Sequence, residues 1–368
     1  MTRWSVVWLL AGQLLLAGCI SSPPKAIYWG AWINGDTYGL NDAPWDTNAL
    51  TTFEKHAGKK LSILHWGQPW WSCSPACHYQ NFQDQIDQYD ATRNQGMIPL
   101  VDWAAWDSAA QPHDQQPNFS LSKIMRGDHD RYIRQWATAA KNWGHPFFLR
   151  FNWEMNGNWF PWSEAKNQNQ AGQYVQAWRH VHDIFTQVGA TNVTWVWCPN
   201  VEFPDSLPLD RLYPGDAYVD WIGMDGYNWR PDQGQQIGWR SFQEVFGSTY
   251  DRLSSLSPNK PIMIAETSST ESGGSKANWI TDALTNQLAT HFPKVKALVW
   301  FNWNADGMDW VIESSAAAQA AFAKGMASDY YARNQFAQLS AAPIPPLDQL
   351  PQLCVQGQCV FLSETPTP

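Results

Sequence analysis

Two glutamates at the ends of apolar runs are the residues best suited to carry out chemistry. Glu154 lies three residues after the run FFLRF (147–151), and Glu266 ends the run IMIAE (262–266). Two carboxyl groups that flank a glycosidic bond can cleave it, one by protonating the leaving oxygen and the other by attacking the anomeric carbon. A single glutamate at such a position is more often a cap or a surface charge. The pair predicts Glu154 as acid/base and Glu266 as nucleophile.

The two glutamates can meet only if their strands end at the same face of the protein. Eight apolar runs occur along the chain, near-continuous as in parallel strands that are buried on both faces: Ile27–Trp32, Leu61–Trp66, Met97–Trp103, Phe147–Phe151, Val193–Trp197, Val219–Asp225, Ile262–Glu266 and Ala297–Trp303. Helical patterns alternate with them. This predicts an α/β fold, a single (β/α)₈ barrel whose site lies at the carboxyl ends of the strands. A doubly wound sheet is the alternative.

The surroundings of the two glutamates favour opposite protonation states. Glu154 lies among aromatic residues, including Trp153 and Trp159, and the loss of water there would raise its pKa. Tyr227, just after the sixth predicted strand, is expected to donate its hydroxyl to Glu266. Arg150, on the fourth strand, is expected to orient a carboxylate.

Tryptophan is unusually abundant, with 25 copies in 368 residues. The apolar faces of sugar rings lie flat on aromatic planes, so the excess favours sugar binding over packing alone. Any single Trp, however, is equally consistent with a core position, and His65 with a structural one. The residues predicted to bind substrate are Trp103, Trp159, Trp303, Tyr227, Arg150, His65 and Trp66. Further residues that could line the cleft are Trp32, Asp102, Trp106, Asn200 and Trp300.

Four segments resemble glycoside hydrolase family 26. LRFNWEMNGNWFPW (149–162) is similar to its acid/base motif and IAETSS (264–269) to its nucleophile strand. VDWIGMDGYNW (219–229) and VWFNWNADGMDWVIESS (299–315) resemble its sixth and eighth strand regions. The resemblance covers residues 26–330 and implies a retaining endo-β-glycanase, most often acting on β-1,4-mannan and otherwise on β-glucan or β-xylan. Mannanases of the family carry His before the acid/base glutamate, where this chain has Trp153.

The N-terminus has the pattern of an export signal. Arg3 precedes the apolar run Val6–Leu16, which is too short to span a bilayer of about 20 helical residues. The sequence LAGC (16–19) resembles the lipobox of bacterial lipoproteins. We therefore expect a signal peptide over 1–18, lipidation of Cys19, a tether over 19–25 and an outer-membrane address. A cleaved signal with an accidental cysteine is the alternative.

Five cysteines remain after Cys19, and export permits disulfides. Cys73 with Cys77 and Cys354 with Cys359 could each close a small ring, while Cys198 lies in an apolar run and is expected to be a buried thiol. Neither pair has a neighbouring ligand cluster, so no metal site is predicted. The Pro-rich tail over 331–368 is expected to cover the barrel base or to hang loose.

Charge and composition limit the expected partners. The net charge is −9, which argues against nucleic acid, and no Gly-rich phosphate loop points to a cofactor. The expected partners are a polysaccharide substrate and, through Cys19, a membrane surface, with the protein a monomer. A non-catalytic polysaccharide-binding lipoprotein and a hydrolase or transglycosylase of the cell's own exopolysaccharide are the alternatives.

Overall fold

Eight parallel strands close into a barrel at the centre of the molecule. A computed structural model describes residues 25–73, 76–229 and 238–350 in full, and the backbone alone of 352–355 and 358–361. The barrel strands are β1 (Tyr28–Ile33), β2 (Ile63–Ser72), β3 (Ile98–Asp107), β4 (Phe147–Phe151), β5 (Val193–Trp197), β6 (Trp221–Asn228), β7 (Ile262–Ser269) and β8 (Val295–Asn302). Because β1 pairs with both β2 and β8, the sheet is closed, which excludes a doubly wound sheet and confirms the predicted barrel.

Amphipathic helices surround the barrel and bury one face each against it. They are α1 (Thr47–Ala57), α2 (Ile86–Asn94), α3 (Leu121–Met125), α4 (Asp130–Trp143), α5 (Gln173–Val188), α6 (Leu209–Leu212), α7 (Phe242–Leu256), α8 (Lys276–Asp282), α9 (Leu288–His291) and α10 (Ala316–Met326). In α4, Tyr132, Trp136 and Ala140 recur at four-residue spacing and are all buried. That helix ends where Gly144 adopts a left-handed conformation, which an L side chain disfavours.

Side chains along each strand alternate between the barrel interior and the layer under the helices. On β4, Phe148 belongs to the interior cluster, whereas Phe147, Leu149 and Phe151 belong to the outer one. Arg150 shares the inward face with Phe148 and is wholly buried. This arrangement fills the lower interior with apolar side chains and leaves the upper interior to polar ones. On β7 an irregularity interrupts the alternation, so that Ala265 and the next residue, Glu266, both face inward.

Most of the excess tryptophan packs between the barrel and its helices. Eleven Trp side chains in the described part of the chain are under 2% exposed. Trp221 lies inside the barrel and Trp310 lines the cleft, while the other nine, which include Trp136 and Trp300, pack in the outer cluster. Many aromatic rings in this layer meet edge to face, as Trp300 does on Phe322 at 4.9 Å between centroids. The Trp content therefore reflects scaffold packing more than sugar binding.

The tail over 331–350 covers the amino-terminal end of the barrel. Phe336 packs on Tyr28, the first residue of β1, at 5.2 Å between ring centroids. The Trp221 indole, at the start of β6, donates to the carbonyl of Ile344 at 2.7 Å. Apolar tail residues thus close the base of the interior cluster. Of the two arrangements expected for this tail, residues 331–350 adopt the one in which it covers the barrel base. They are Ala332, Phe336, Leu339, Ile344, Leu347 and Leu350.

The cysteines are placed as follows. A disulfide joins Cys73 and Cys77, as predicted, and Cys198 is a buried free thiol. In the hairpin of Gln352–Val355 and Gln358–Phe361, Cys354 lies opposite Cys359, but their side chains lie outside the described residues, so that bridge stays a prediction.

The amino-terminal predictions also lie outside the described residues. Residues 1–24, with the signal peptide, Cys19 and most of the tether, are not part of the described structure. Within the described residues, no helix combines the length and the apolar composition that a bilayer crossing requires.

If the tail is part of the core, Phe336→Ala should lower the free energy of unfolding by about 3–5 kcal/mol, because it leaves a cavity between the tail and β1. Urea denaturation followed by tryptophan fluorescence measures this. Gln338→Ala, at an exposed tail position, is the matched control and should change stability by less than about 0.5 kcal/mol. A loss of under about 1 kcal/mol for Phe336→Ala would show that the tail contributes little.

Candidate active site

A cleft of about 970 Å³ opens at the carboxyl ends of the barrel strands. Both Glu154 and Glu266 line it. Its wall is strongly aromatic, which suits stacking against sugar rings. The aromatic lining residues are Trp32, Trp106, Trp153, Trp159, Phe160, Tyr227, Trp229, Phe301, Trp303 and Trp310. The cleft is therefore the candidate active site.

An unusual backbone brings Glu154 into the cleft. Asn152 and Glu154 have φ of 45° and 51°, a left-handed conformation that non-glycine residues seldom adopt. Two bonds hold it: the side-chain oxygen of Asn152 accepts from Ala105 N at 2.9 Å, and Glu154 N donates to the carbonyl of Cys198 at 2.7 Å. The turn that follows β4 is thereby tied to β3 and to the residue after β5, and such strain is typical of functional sites.

The carboxyl group of Glu154 accepts two hydrogen bonds. The Trp159 indole N–H donates to Oε2 at 2.7 Å, and the Asn200 amide donates to Oε1 at 2.8 Å. Asn156 fixes Asn200 through two bonds of 2.9 Å with its backbone. Gly157 is required for space, because a Cβ there would lie 2.4 Å from the Trp159 ring. Residues within the run EMNGNW (154–159) therefore hold the carboxyl group of Glu154, directly through Trp159 and indirectly through Asn156 and Gly157.

Glu154 is poised to exchange a proton near neutrality. Burial raises its pKa to about 7, and the negative charge of Glu266 acts in the same direction. The hydrogen bonds from Asn200 and Trp159 oppose the rise. A group that is close to half protonated at neutral pH can both give and take a proton.

Glu266 has the opposite environment, with two donors that stabilise negative charge. The Tyr227 hydroxyl donates to Oε2, as predicted, and Arg150 Nη2 donates to Oε1. The Tyr227 ring is held by Trp310, at 5.1 Å between centroids. Both donors act from within the barrel mouth, so the carboxylate is fixed in place and kept available as a base or nucleophile.

Every N–H of the Arg150 guanidinium has an acceptor. Nε and Nη2 donate to the two oxygens of Asp102, and the second Nη2 proton is directed at Glu266. Nη1 donates to Asp225 at 2.6 Å and reaches the sulfur of Cys198 at 3.5 Å. Burial alone would lower the pKa of Arg150, but the three carboxylates raise it well above its usual value. The guanidinium therefore remains charged beneath the floor of the cleft.

Two predicted substrate contacts are wrong. Trp66 and Trp103 lie on the outward faces of β2 and β3 and are essentially unexposed. The Trp66 indole donates to Gln85 at 2.9 Å, and that of Trp103 to the Tyr132 hydroxyl at 3.1 Å. The alternation of side chains explains the error, because their neighbours His65 and Asp102 take the inward positions.

Two further candidates lie below the cleft and do not line it. His65 is fully buried, with its Nε2 at 2.9 Å from Asp102 Oδ1. Arg150 is equally buried, so it orients carboxylates, as predicted, but presents no surface to the cleft. His65, Asp102 and Glu266 are close enough together to suggest a metal site, but Arg150 already supplies the positive charge there.

The remaining predicted residues line the cleft. Trp159, Tyr227 and Trp303 are all in its wall, and Trp303 is 39% exposed. Its ring lies 6.3 Å from that of Trp32 and within 10° of parallel. Among the residues proposed as further lining, Trp300 is buried in the core, whereas the other four line the cleft.

Sequence reasoning missed the wall that the β6 and β8 loops contribute, including Trp229, Arg240 and Trp310. The Trp310 segment is held by the buried Lys276, whose amine donates to the carbonyls of Asp309 and Val311. For Trp310, the only signal in the sequence was the run of aromatic and polar residues after the eighth predicted strand.

Comparison with known sequences identifies the family. The family described as glycosyl hydrolase family 26 matches residues 97–309, more than half of the chain. Endoglucanase H of Acetivibrio thermocellus is 37% identical over 300 residues, 80% of this chain and 29% of that protein. A mannan endo-1,4-beta-mannosidase of Bacillus subtilis strain 168 is 28% identical over 197 residues, 51% of this chain and 44% of that protein. The chain thus spans less than half the length of these relatives.

Solved structures share the fold. The GH26A structure from Muricauda sp. MAR_2010_75 superposes with a TM-score of 0.57 at 16% identity, covering 84% of this chain and 92% of that one. The β-mannanase BoMan26A from Bacteroides ovatus gives 0.56 at 15% identity, covering 84% and 90%. At such identities the likeness concerns the barrel alone. The sequence match, over the segment that holds Glu154, Glu266 and most of the cleft, shows that this chain belongs to glycosyl hydrolase family 26.

Proposed function

We propose that this protein is a retaining endo-β-glycanase in which Glu154 is the acid/base and Glu266 the nucleophile. The observation that carries the proposal is the unequal setting of two carboxyl groups in one cleft. Burial raises the pKa of Glu154 to about 7, while Arg150 and Tyr227 both donate to Glu266. One group can therefore be protonated while the other is charged, as glycosidic cleavage requires.

The two steps follow from these settings. Glu266 attacks the anomeric carbon while Glu154 gives its proton to the departing glycosidic oxygen, which leaves a covalent glycosyl ester on Glu266. Glu154, now ionised, takes a proton from water, and the oxygen of that water displaces Glu266 from the sugar. Because the carbon is inverted twice, its configuration is retained. The hydrogen bonds from Trp159 and Asn200 stabilise Glu154 while it carries the charge.

Two observations favour β-glucan over β-mannan as the polymer. The named endoglucanase matches this chain over more residues and with higher identity than the named mannosidase. Trp153 stands where family mannanases have His, and its ring lines the cleft against Phe160 at 5.1 Å. A glucosyl ring has equatorial hydroxyls and a flat apolar face that suits an indole, whereas mannose projects an axial 2-hydroxyl that needs a polar partner.

Each glutamate should be essential. Glu154→Gln and Glu266→Gln should each reduce the release of oligosaccharides from mixed-linkage β-glucan by about 10³-fold or more, because each removes an acid or a nucleophile without changing side-chain shape. Chromatography of the products measures this, with Glu202→Gln, outside the cleft lining, as the matched control. Retention on β-glucan gels without products from the unmodified protein would favour a polysaccharide-binding protein instead.

The nucleophile can be identified by rescue. In Glu266→Gly, the small azide ion should occupy the space of the missing carboxylate and attack an activated β-glycoside. We expect a glycosyl azide of α configuration, inverted because only one displacement occurs. NMR of the product distinguishes the two anomers. A product of β configuration, or rescue of Glu154→Gly with the α product, would assign the roles differently.

The activity should fall as pH rises through the pKa of Glu154. The protonated form is the active acid, so kcat/KM should be high below about pH 7 and decline above it. The Trp159 bond lowers the pKa of Glu154, so Trp159→Phe, which loses the N–H, should move the alkaline limb to higher pH. Phe160→Leu, which alters the same wall without touching the carboxyl group, is the control. An unchanged limb in Trp159→Phe would contradict this assignment.

We also propose that the protein is exported and anchored in the outer membrane through a lipid on Cys19. The support is the sequence LAGC (16–19) after an apolar run, followed by Ile20 in place of an acidic residue. In a bacterial host, labelled palmitate should be incorporated into the unmodified protein and not into Cys19→Ser. Equal labelling of the two proteins would contradict the proposed lipid anchor on Cys19.

A further inference from the structure

Arg240 is the only lysine or arginine among the described residues that line the cleft. The other charged lining residues are acidic: Asp102, Glu154, Glu266 and Asp306. None of the proposed chemical steps uses a cation at this position. Its place in the wall therefore needs a separate explanation.

Hydrogen bonds to both backbone groups of Arg240 fix its position. Its backbone N–H donates to the side-chain oxygen of Asn228, the last residue of β6, at 2.7 Å. Its carbonyl accepts from the Trp279 indole at 2.9 Å. Asn228 and Trp279 are both buried. Arg240 is thus held at the end of the strand that also supplies Tyr227.

The guanidinium of Arg240 is only partly satisfied. Nη1 donates to the carbonyl of Glu244 at 3.3 Å, a long bond, while Nε is inaccessible to water and has no acceptor among the described residues. The Glu244 carboxylate is already bound by the backbone and hydroxyl of Ser241, at 2.7 and 2.8 Å. Within the described structure no carboxylate forms an ion pair with Arg240. Nη2 has no acceptor among the described residues and, unlike Nε, is not enclosed, so the end of the guanidinium formed by Nη1 and Nη2 is left open.

We propose that Arg240 binds a carboxylate carried by the substrate, so that this enzyme acts on β-glycans bearing acidic groups, such as uronic acid residues or carboxyl-containing substituents. The open Nη1–Nη2 end matches the two oxygens of a carboxylate, which it can bind through two parallel hydrogen bonds. A neutral hydroxyl would satisfy only one of these donors and would leave the charge unpaired. This inference rests on the proposed glycanase function.

The test compares two polymers with one backbone, mixed-linkage β-glucan and its carboxymethylated form. Replacing Arg240 by Gln removes the charge and the paired donors. In Arg240→Gln, kcat/KM on the carboxymethyl polymer should fall about tenfold or more beyond any fall on the neutral polymer. Arg240→Lys, which keeps the charge without the paired donors, should recover only part of the difference. Arg252→Gln, at an exposed arginine paired with Asp210, is the control and should change neither rate.

A binding measurement separates this inference from the hydrolytic function. Affinity electrophoresis of Glu266→Gln in gels of each polymer requires no turnover. The carboxymethyl gel should retard it more than the neutral gel, and adding Arg240→Gln should abolish that excess. Equal losses on both polymers, no loss on either, or no excess retardation would overturn the role of Arg240. If Arg240→Gln hydrolysed both polymers as fast as the unmodified protein does, the glycanase proposal would stand and this one would be rejected.

Discussion

A buried guanidinium with three carboxylates is the interaction on which the site depends. Arg150 is wholly enclosed, and Asp102, Asp225 and Glu266 all accept from it. Removing a single partner from such a cluster would leave an uncompensated charge in a medium of low polarity, so its members are mutually dependent. The cluster fixes Glu266 from below and leaves its other oxygen to Tyr227. The position of Glu266 is therefore set by a buried charge that has no surface in the cleft.

The Arg150 cluster also makes the electrostatic surroundings of the two glutamates different. Arg150 forms no hydrogen bond with Glu154, which accepts only from the neutral donors Trp159 and Asn200 among the described residues. Burial then raises its pKa, and the negative charge of Glu266 raises it further. One buried arginine, bonded to one glutamate and not to the other, thus gives two chemically identical groups different electrostatic settings.

Dense packing outside the cleft holds the two glutamates in place. Aromatic rings fill the space between barrel and helices, and the tail seals the base through contacts such as Phe336 on Tyr28. Close-packed interiors resist small displacements, which is what paired carboxyl groups at fixed separation require. The strained backbone at Asn152 and Glu154 is tolerated because neighbouring strands hold it through hydrogen bonds.

The sequence by itself determined the barrel, the two glutamates and the donor Tyr227, because strand periodicity and strand ends are local patterns that a closed parallel sheet must obey. It did not separate Trp103, which packs outward, from residues such as Trp159 that face the cleft. Apolar runs buried on both faces carry no alternation of polarity, so the direction of each side chain emerges only when the strands are in register. The acceptors of Arg150 and the position of Arg240 were likewise decided by the tertiary structure, since the hydrogen bonds that fix them join residues far apart in the chain.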